Sequence, residues 1–236
     1  MSSKTSELTE VPARRKSASR AAVRLGRPPK QLEGEVEERI LDAARKLFLK
    51  HGFEGSSVDE IAVAARSGKP TIYARVGDKR ALFTAVVMRD VISRITQFNP
   101  EVPTGGTTEE RLTRLAVALL NWVLDDERMA LMRIAIAEVN RFPELASTVS
   151  RTAQRLSAEV TARYLGEMAK SDDLGRLPAF APERLALTAR FFLDMTVLPI
   201  MLRGLFEQHV SVLREEIDTL VNRRVAFFLA ACQHGS

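Results

Sequence analysis

Five basic residues, Arg66, Lys69, Arg75, Lys79 and Arg80, lie between Ile61 and Arg80, a stretch whose only acid is Asp78. Thr71 and Tyr73 sit among them, and Ser56 and Ser57 lie just upstream. Cations interleaved with hydroxyls suit a polyanion, because ammonium and guanidinium groups neutralise phosphates while the hydroxyls fix position. Arg75 adds a planar fork that can bond O6 and N7 of guanine together. Other chemistries lack their parts. His51, His209 and His234 are scattered, Cys232 is the single cysteine, and no H-E-x-x-H, glycine-rich phosphate loop or G-x-S-x-G elbow occurs. Asp125-Asp126-Glu127 and Asp172-Asp173 read as caps and loop charges, so no catalytic residue, metal site or cofactor is expected.

To present these groups on a surface, the backbone must form short helices, and the spacing supplies them. Ser57 and Glu60 have the separation of a capping box. Ile61, Ala62 and Ala65 follow on one face, while Asp59 and Val63 point elsewhere. Arg66-Ser67-Gly68 supplies a turn, and Pro70 suits the first turn of a second helix, since its φ is already helical and its missing N–H is not needed there. Ile72 and Val76, four apart, can anchor that helix. Two short helices, a tight turn and a basic second helix make a helix-turn-helix.

These residues resemble the TetR/AcrR family of transcriptional regulators. Ile61-Ala-Val-Ala-Ala-Arg-Ser-Gly68, Lys69-Pro-Thr-Ile-Tyr-Ala-Arg-Val76 and Gly77-Asp-Lys-Arg-Ala-Leu82 are similar to its DNA-reading module, and Ile40–Phe53 to its first helix, with Gly52 as the C-terminal cap. The resemblance covers about residues 36–90. It implies that Lys69, Pro70, Thr71, Tyr73 and Ala74 face the major groove or its walls, with the Tyr73 hydroxyl on phosphate. It implies further that Lys79 and its helix N-terminus hold a phosphate, and that Ser56 and Ser57 open the helix crossing the DNA backbone. Arg75 is the candidate reader of guanine. Four positions depart from the family pattern: Arg66 replaces the turn glycine, Ser67 a buried valine, Gly68 the serine cap and Val76 a phenylalanine. If Arg66 needs a positive φ, it costs about 1 kcal/mol.

Charge is divided unevenly along the chain. Residues 1–30 hold eight basic side chains against Glu7 and Glu10, whereas the full 236 residues carry a net +5. Residues 1–33 lack an apolar period and read as a disordered basic arm. Within it, Arg24-Leu-Gly-Arg-Pro-Pro-Lys30 is partly similar to an AT-hook, which would place Arg27 in a narrow minor groove; a solubilising tail is the other reading.

The expected architecture is all-α: a helix-turn-helix domain over residues 34–80, then a larger effector-binding and dimerisation domain over 81–236. Helices are expected at about 78–98, from Thr107 or Thr108, 127–141, 143–169, 182–205 and 210–231, with a polar loop at 171–182. The last two helices are apolar on more than one side, which calls for a second partner surface. The resemblance supplies it as a homodimer whose reading heads lie about 34 to 36 Å apart on a palindromic operator. It also implies a small-molecule effector, for which Trp122, Met132, Arg133, Phe191, Phe192 and Met195 are candidate ligands' neighbours. Phe191–Leu202 is the most apolar run and is too short to span a bilayer, so no membrane partner and a cytoplasmic location are expected. Together these features suggest a repressor of transcription released by its effector. The alternative is a helical adaptor or ligand-binding protein that has lost specific DNA binding.

Overall fold

The computed structural model describes residues 30–170, 173–206 and 210–234, and every regular element among them is helical. Ten α-helices follow in order: α1 (Lys30–His51), α2 (Val58–Ala64), α3 (Lys69–Arg75), α4 (Lys79–Gln97), α5 (Thr108–Val123), α6 (Asp126–Ala137), α7 (Pro143–Lys170), α8 (Leu185–Thr196), α9 (Leu198–Phe206) and α10 (Val210–His234).

Their ends obey local chemistry. Ser57, Asp78, Thr107 and Asp125 each accept a backbone N–H from the first turn of the helix they cap, and Ser57 with Glu60 and Thr107 with Glu110 form complete capping boxes. Gly52 ends α1 with φ +70°, its N–H bonded to Phe48 O at 2.9 Å, the left-handed exit that glycine adopts at little cost. Gly77, at φ +101°, turns the chain from α3 into α4.

Several boundaries differ from the sequence expectation. Helix α1 starts at Lys30, inside the stretch read as a disordered arm, because Gln31 to Glu38 are mostly good helix formers. Helix α6 stops at Ala137, and Glu138 to Arg141 form turns before Pro143. Part of the expected polar loop coils into two 3₁₀ turns, Asp173–Arg176 and Pro178–Phe180, that bury Leu174 and Phe180. The expected helix at 182–205 is divided at Val197, with Pro199 in the first turn of the new helix. The apolar stretch containing it is also longer than the sequence estimate. Leu185–Phe206 is 22 residues long and apolar enough by length and composition to cross a bilayer, but Phe192, Thr196, Ile200 and Gly204 are buried in the protein itself.

Two apolar clusters organise the molecule. The smaller joins Ile40, Ala44 and Phe48 of α1 with Ile61, Ile72, Leu82 and Phe83. It also takes in Leu131 and Phe142 from beyond α4, so the α6–α7 elbow plugs the helix-turn-helix unit. Phe142 meets Phe53 edge-on at 5.0 Å and Phe83 at 6.0 Å. The larger cluster centres on α5, α8 and α10, where Leu213, Ile217, Val221, Val225 and Phe228 form one stripe toward Leu115, Leu120 and Phe192. Helix α4 enters both regions. Leu82 and Phe83 lie in the small core, and Phe98, just past the C-terminal end, packs on Trp122 at 5.3 Å and Tyr164 at 5.8 Å.

Candidate nucleic-acid interface and ligand cavity

The turn between α2 and α3 has the shape its residues demand. Arg66 adopts φ 48°, alone in this among the described non-glycine residues, so the left-handed position exists and an arginine occupies it. The Ser67 N–H bonds to Ala62 O at 3.0 Å and closes α2. Gly68 caps α3 without a side-chain bond, with Pro70 in the first turn. Ile72 is fully buried and fixes α3 to the core, whereas Val76 is partly buried.

The opposite face of α3 is open. Lys69, Pro70, Tyr73 and Ala74 are exposed, and Thr71 and Arg75 are partly so. Tyr73 is 51% exposed although aromatic. Lys69 pairs with Asp59 on α2, an ion pair with both side chains at least half exposed. Lys79 Nζ donates to Glu54 O at 3.2 Å and lies 4.6 Å from the Phe53 ring centre, which draws its charge toward the edge where α1 exits and α2 begins. Ser57 is occupied by its cap: its hydroxyl takes the Glu60 N–H at 3.1 Å and meets Glu60 Oε2 at 2.9 Å. The Ser57 hydroxyl and the Ser57 N–H, the latter at 3.0 Å, both donate to Glu60 Oε2 and hold the pKa of the Glu60 carboxyl below its ordinary value.

Ser56 differs from the expectation. It is 3% exposed, and its hydroxyl donates to Gly52 O at 2.7 Å and Leu47 O at 3.1 Å. The side chain therefore ties down the exit of α1 and does not face outward. Arg27 lies outside the described residues.

A cavity of about 300 Å³ opens among α4 to α9, within the size range of small-molecule sites. Val87, Val91 and Ile95 of α4 form one wall, with Leu131 and Met132 of α6 and Leu193 of α8 across from them. Of the expected ligand neighbours, Trp122 and Met132 line it; the other four do not. Arg133 is turned away: its Nε and Nη2 donate to Leu205 O at 2.9 Å and Gly204 O at 2.7 Å, capping the end of α9. Phe192 is fully buried against Phe228, Met195 packs on the larger core, and Phe191 is 54% exposed. The cavity-facing residues of α8 are instead Arg190, Leu193 and Asp194, with Val197 just past its end, on a different face from the aromatic residues expected there.

Sequence reasoning also missed the charged end of this cavity. Asp90, only 12% exposed, accepts from Arg94 Nε at 2.6 Å and from Arg45 Nε of α1 at 3.1 Å. Arg45 reaches Glu127 at 3.0 Å, and Arg94 Nη1 lies 3.7 Å from Asp125. Burial works against the Arg45 charge, but its bonds to Glu127 and Asp90 more than offset that and raise its pKa. The available signal was a carboxylate and an arginine four apart, set within the apolar stripe Val87, Val91, Ile95.

Comparison with known proteins bears on the same two regions. Residues 40–86 match the profile of the bacterial regulatory proteins of the tetR family, and residues 110–233 match that of the AefR-like transcriptional repressor C-terminal domain. The chain belongs to the TetR family. An HTH-type transcriptional regulator of Mycobacterium tuberculosis is 29% identical over 140 residues, 59% of this chain and 72% of the relative. A transcriptional repressor of Streptomyces coelicolor is 41% identical over 57 residues, covering 24% of this chain and 30% of its own. Among solved structures, a TetR-family regulator of Mesorhizobium loti superposes with a TM-score of 0.69 at 24% identity, covering 84% of this chain and 97% of that one. The flavonoid-responsive regulator FrrA gives 0.59 at 29% identity, with 86% and 100% covered. This TetR-family chain is thus a transcriptional regulator with a helix-turn-helix DNA-binding domain and a larger helical domain.

Proposed function

We propose that this protein is a repressor that binds a palindromic operator as a homodimer and leaves it when a small molecule enters the cavity. The observation that carries the reading is the course of α4. Its first turns are buried in the helix-turn-helix core, its middle forms a cavity wall, and Phe98 pins its far end to Trp122 and Tyr164. A ligand that favours one position of this helix therefore biases the placement of α3, and only such differential binding can release DNA.

Dimerisation is supported by apolar surface that one chain leaves uncovered. Leu187 and Phe191 on α8, Leu198, Leu202 and Phe206 on α9, and Phe227 on α10 are all more than 40% exposed. Exposed apolar side chains on each of the last three helices suit an isologous contact. For DNA, Lys69, Thr71, Tyr73 and Lys79 are assigned to phosphates and Arg75 to a base edge, with Ser57 opening the helix that crosses the backbone. A cytoplasmic location follows from this reading.

Selection of bound duplexes from a random pool tests it directly. Recovery of a two-fold symmetric sequence is expected, and the protein should run as a dimer in sedimentation. Uniform retention of scrambled duplexes would instead support an adaptor without specific DNA binding.

A further inference from the structure

The cavity wall is apolar on most sides and carries charge at one end, where Asp90, Arg94 and Arg128 line it. Arg128 lies over the Trp122 ring at 4.0 Å, and its Nη1 donates to the Trp122 carbonyl. Its Nε is buried with no hydrogen-bond acceptor, and Asp125 Oδ1 stands 4.0 Å away. Burial and the neighbouring Arg94 both push the Arg128 guanidinium below its ordinary value, as expected for one cation held beside another away from water. An anion placed there relieves both effects. A cation finds less welcome: Asp90 already receives two arginines, and Asp194 is half exposed, 4.0 Å from Arg190 Nε.

We propose that the cavity takes an amphipathic monoanion, a carboxylic acid of moderate length, with its carboxylate between Arg128 and Arg94 and its apolar body along Val91, Leu131, Met132 and Leu193. This rests on reading the cavity as the effector site. A carboxylate in that place accepts from the vacant Nε of Arg128, a charge-assisted bond stronger than a neutral one. It also competes with Asp90 for Arg94. Asp90 holds Arg45 of α1, so the charge of the ligand reaches the reading head through one shared carboxylate.

Trp122 is the single tryptophan of the chain, and it stands under the proposed anion, so its emission reads the site. Full-length protein at about pH 8 would be titrated with decanoate, decanol and decyltrimethylammonium, each below its aggregation concentration. Decanoate should act at roughly tenfold lower concentration than decanol, the size expected for one hydrogen bond to a charged group, and the ammonium compound should be weakest. Arg128→Met, which keeps an apolar stem, should erase the preference for decanoate over decanol. Arg94→Gln should weaken it in the same direction and serves as the second variant should Arg128→Met not fold. Equal affinity for decanoate and decanol, or a preference that survives both substitutions, overturns the anion site and leaves the cavity standing as a ligand site. Silence from all three probes, in emission and in thermal melting alike, removes the cavity as an effector site and this inference with it.

Discussion

The reading head and the larger helical body are held together in different ways. In the head, short-range signals agree with one another: the Ser57–Glu60 box starts α2, the Arg66–Gly68 turn ends it, and Pro70 starts α3. In the body, the decisive features are long-range: a stripe of α10 meets α5 and α8, and a void remains where α4 to α9 do not close. A surface that must fit a duplex can be specified by adjacent residues, whereas a cavity is specified by which faces fail to meet. The head is also the less self-sufficient of the two, since Phe142 of the α6–α7 elbow completes its core.

The strongest way to break this contrast is to remove that plug. Phe142→Ala should cost about 3 to 5 kcal/mol, the usual loss for a buried phenylalanine, and should make the head melt before the body. Urea unfolding followed by Trp122 emission and by far-ultraviolet circular dichroism would separate the two transitions; a single coincident transition near the wild-type midpoint would show that the head stands alone. Asp90→Asn comes next. Two partly buried arginines lose their shared anion, and a loss of about 2 kcal/mol is expected, between the limits for exposed and buried pairs. The same variant should weaken the effect of any effector on DNA binding, and unchanged coupling would exclude Asp90 from the route between the regions.

On the DNA side, Arg75→Ala should cost about 1 to 3 kcal/mol on the preferred duplex and relax selection at one base position. Lys79→Ala should weaken all duplexes alike and lower the salt slope by about 1. Equal losses on preferred and random DNA for Arg75→Ala would return that residue to the phosphate class. The smallest effect belongs to Arg66→Gly. Relief of the positive φ should raise stability by up to about 1 kcal/mol, less the added flexibility of the unfolded glycine, measurable as a small upward shift in the melting temperature.

The head was legible because its signals are local. A capping box needs only two residues three apart, and the question of a positive φ at Arg66 was raised by the glycine that the resembled family carries there, which the observed φ of 48° answers. Ser56 shows the limit: nothing in its neighbours says that its hydroxyl turns inward to Gly52 and Leu47. In the body, the helix count was largely legible from apolar period and caps, with Thr107 found as one of two alternatives and Asp125 within an acidic run read as caps. The cavity was not. Phe191, Phe192 and Met195 were attractive for being large and apolar, yet which side of α8 meets a void depends on the rotation of that helix against α4 and α7. The same rotation brings Arg190 and Asp194 to the lining, and Arg133 is claimed by the end of α9, seventy-one residues away in sequence. A break at Val197 was likewise hidden, because Pro199 is compatible with either a kink or a fresh start.

The ion pair between Lys69 and Asp59 bears on how the protein would respond to ionic strength. If Lys69 docks on a phosphate, its ammonium exchanges one anion for another, and the abandoned Asp59 carboxylate must gather a mobile cation near the duplex. The freed sodium or potassium that normally drives such docking is then partly recaptured. Titration with salt should consequently count fewer displaced ions than there are basic side chains at the interface, and Asp59→Asn should restore the missing one.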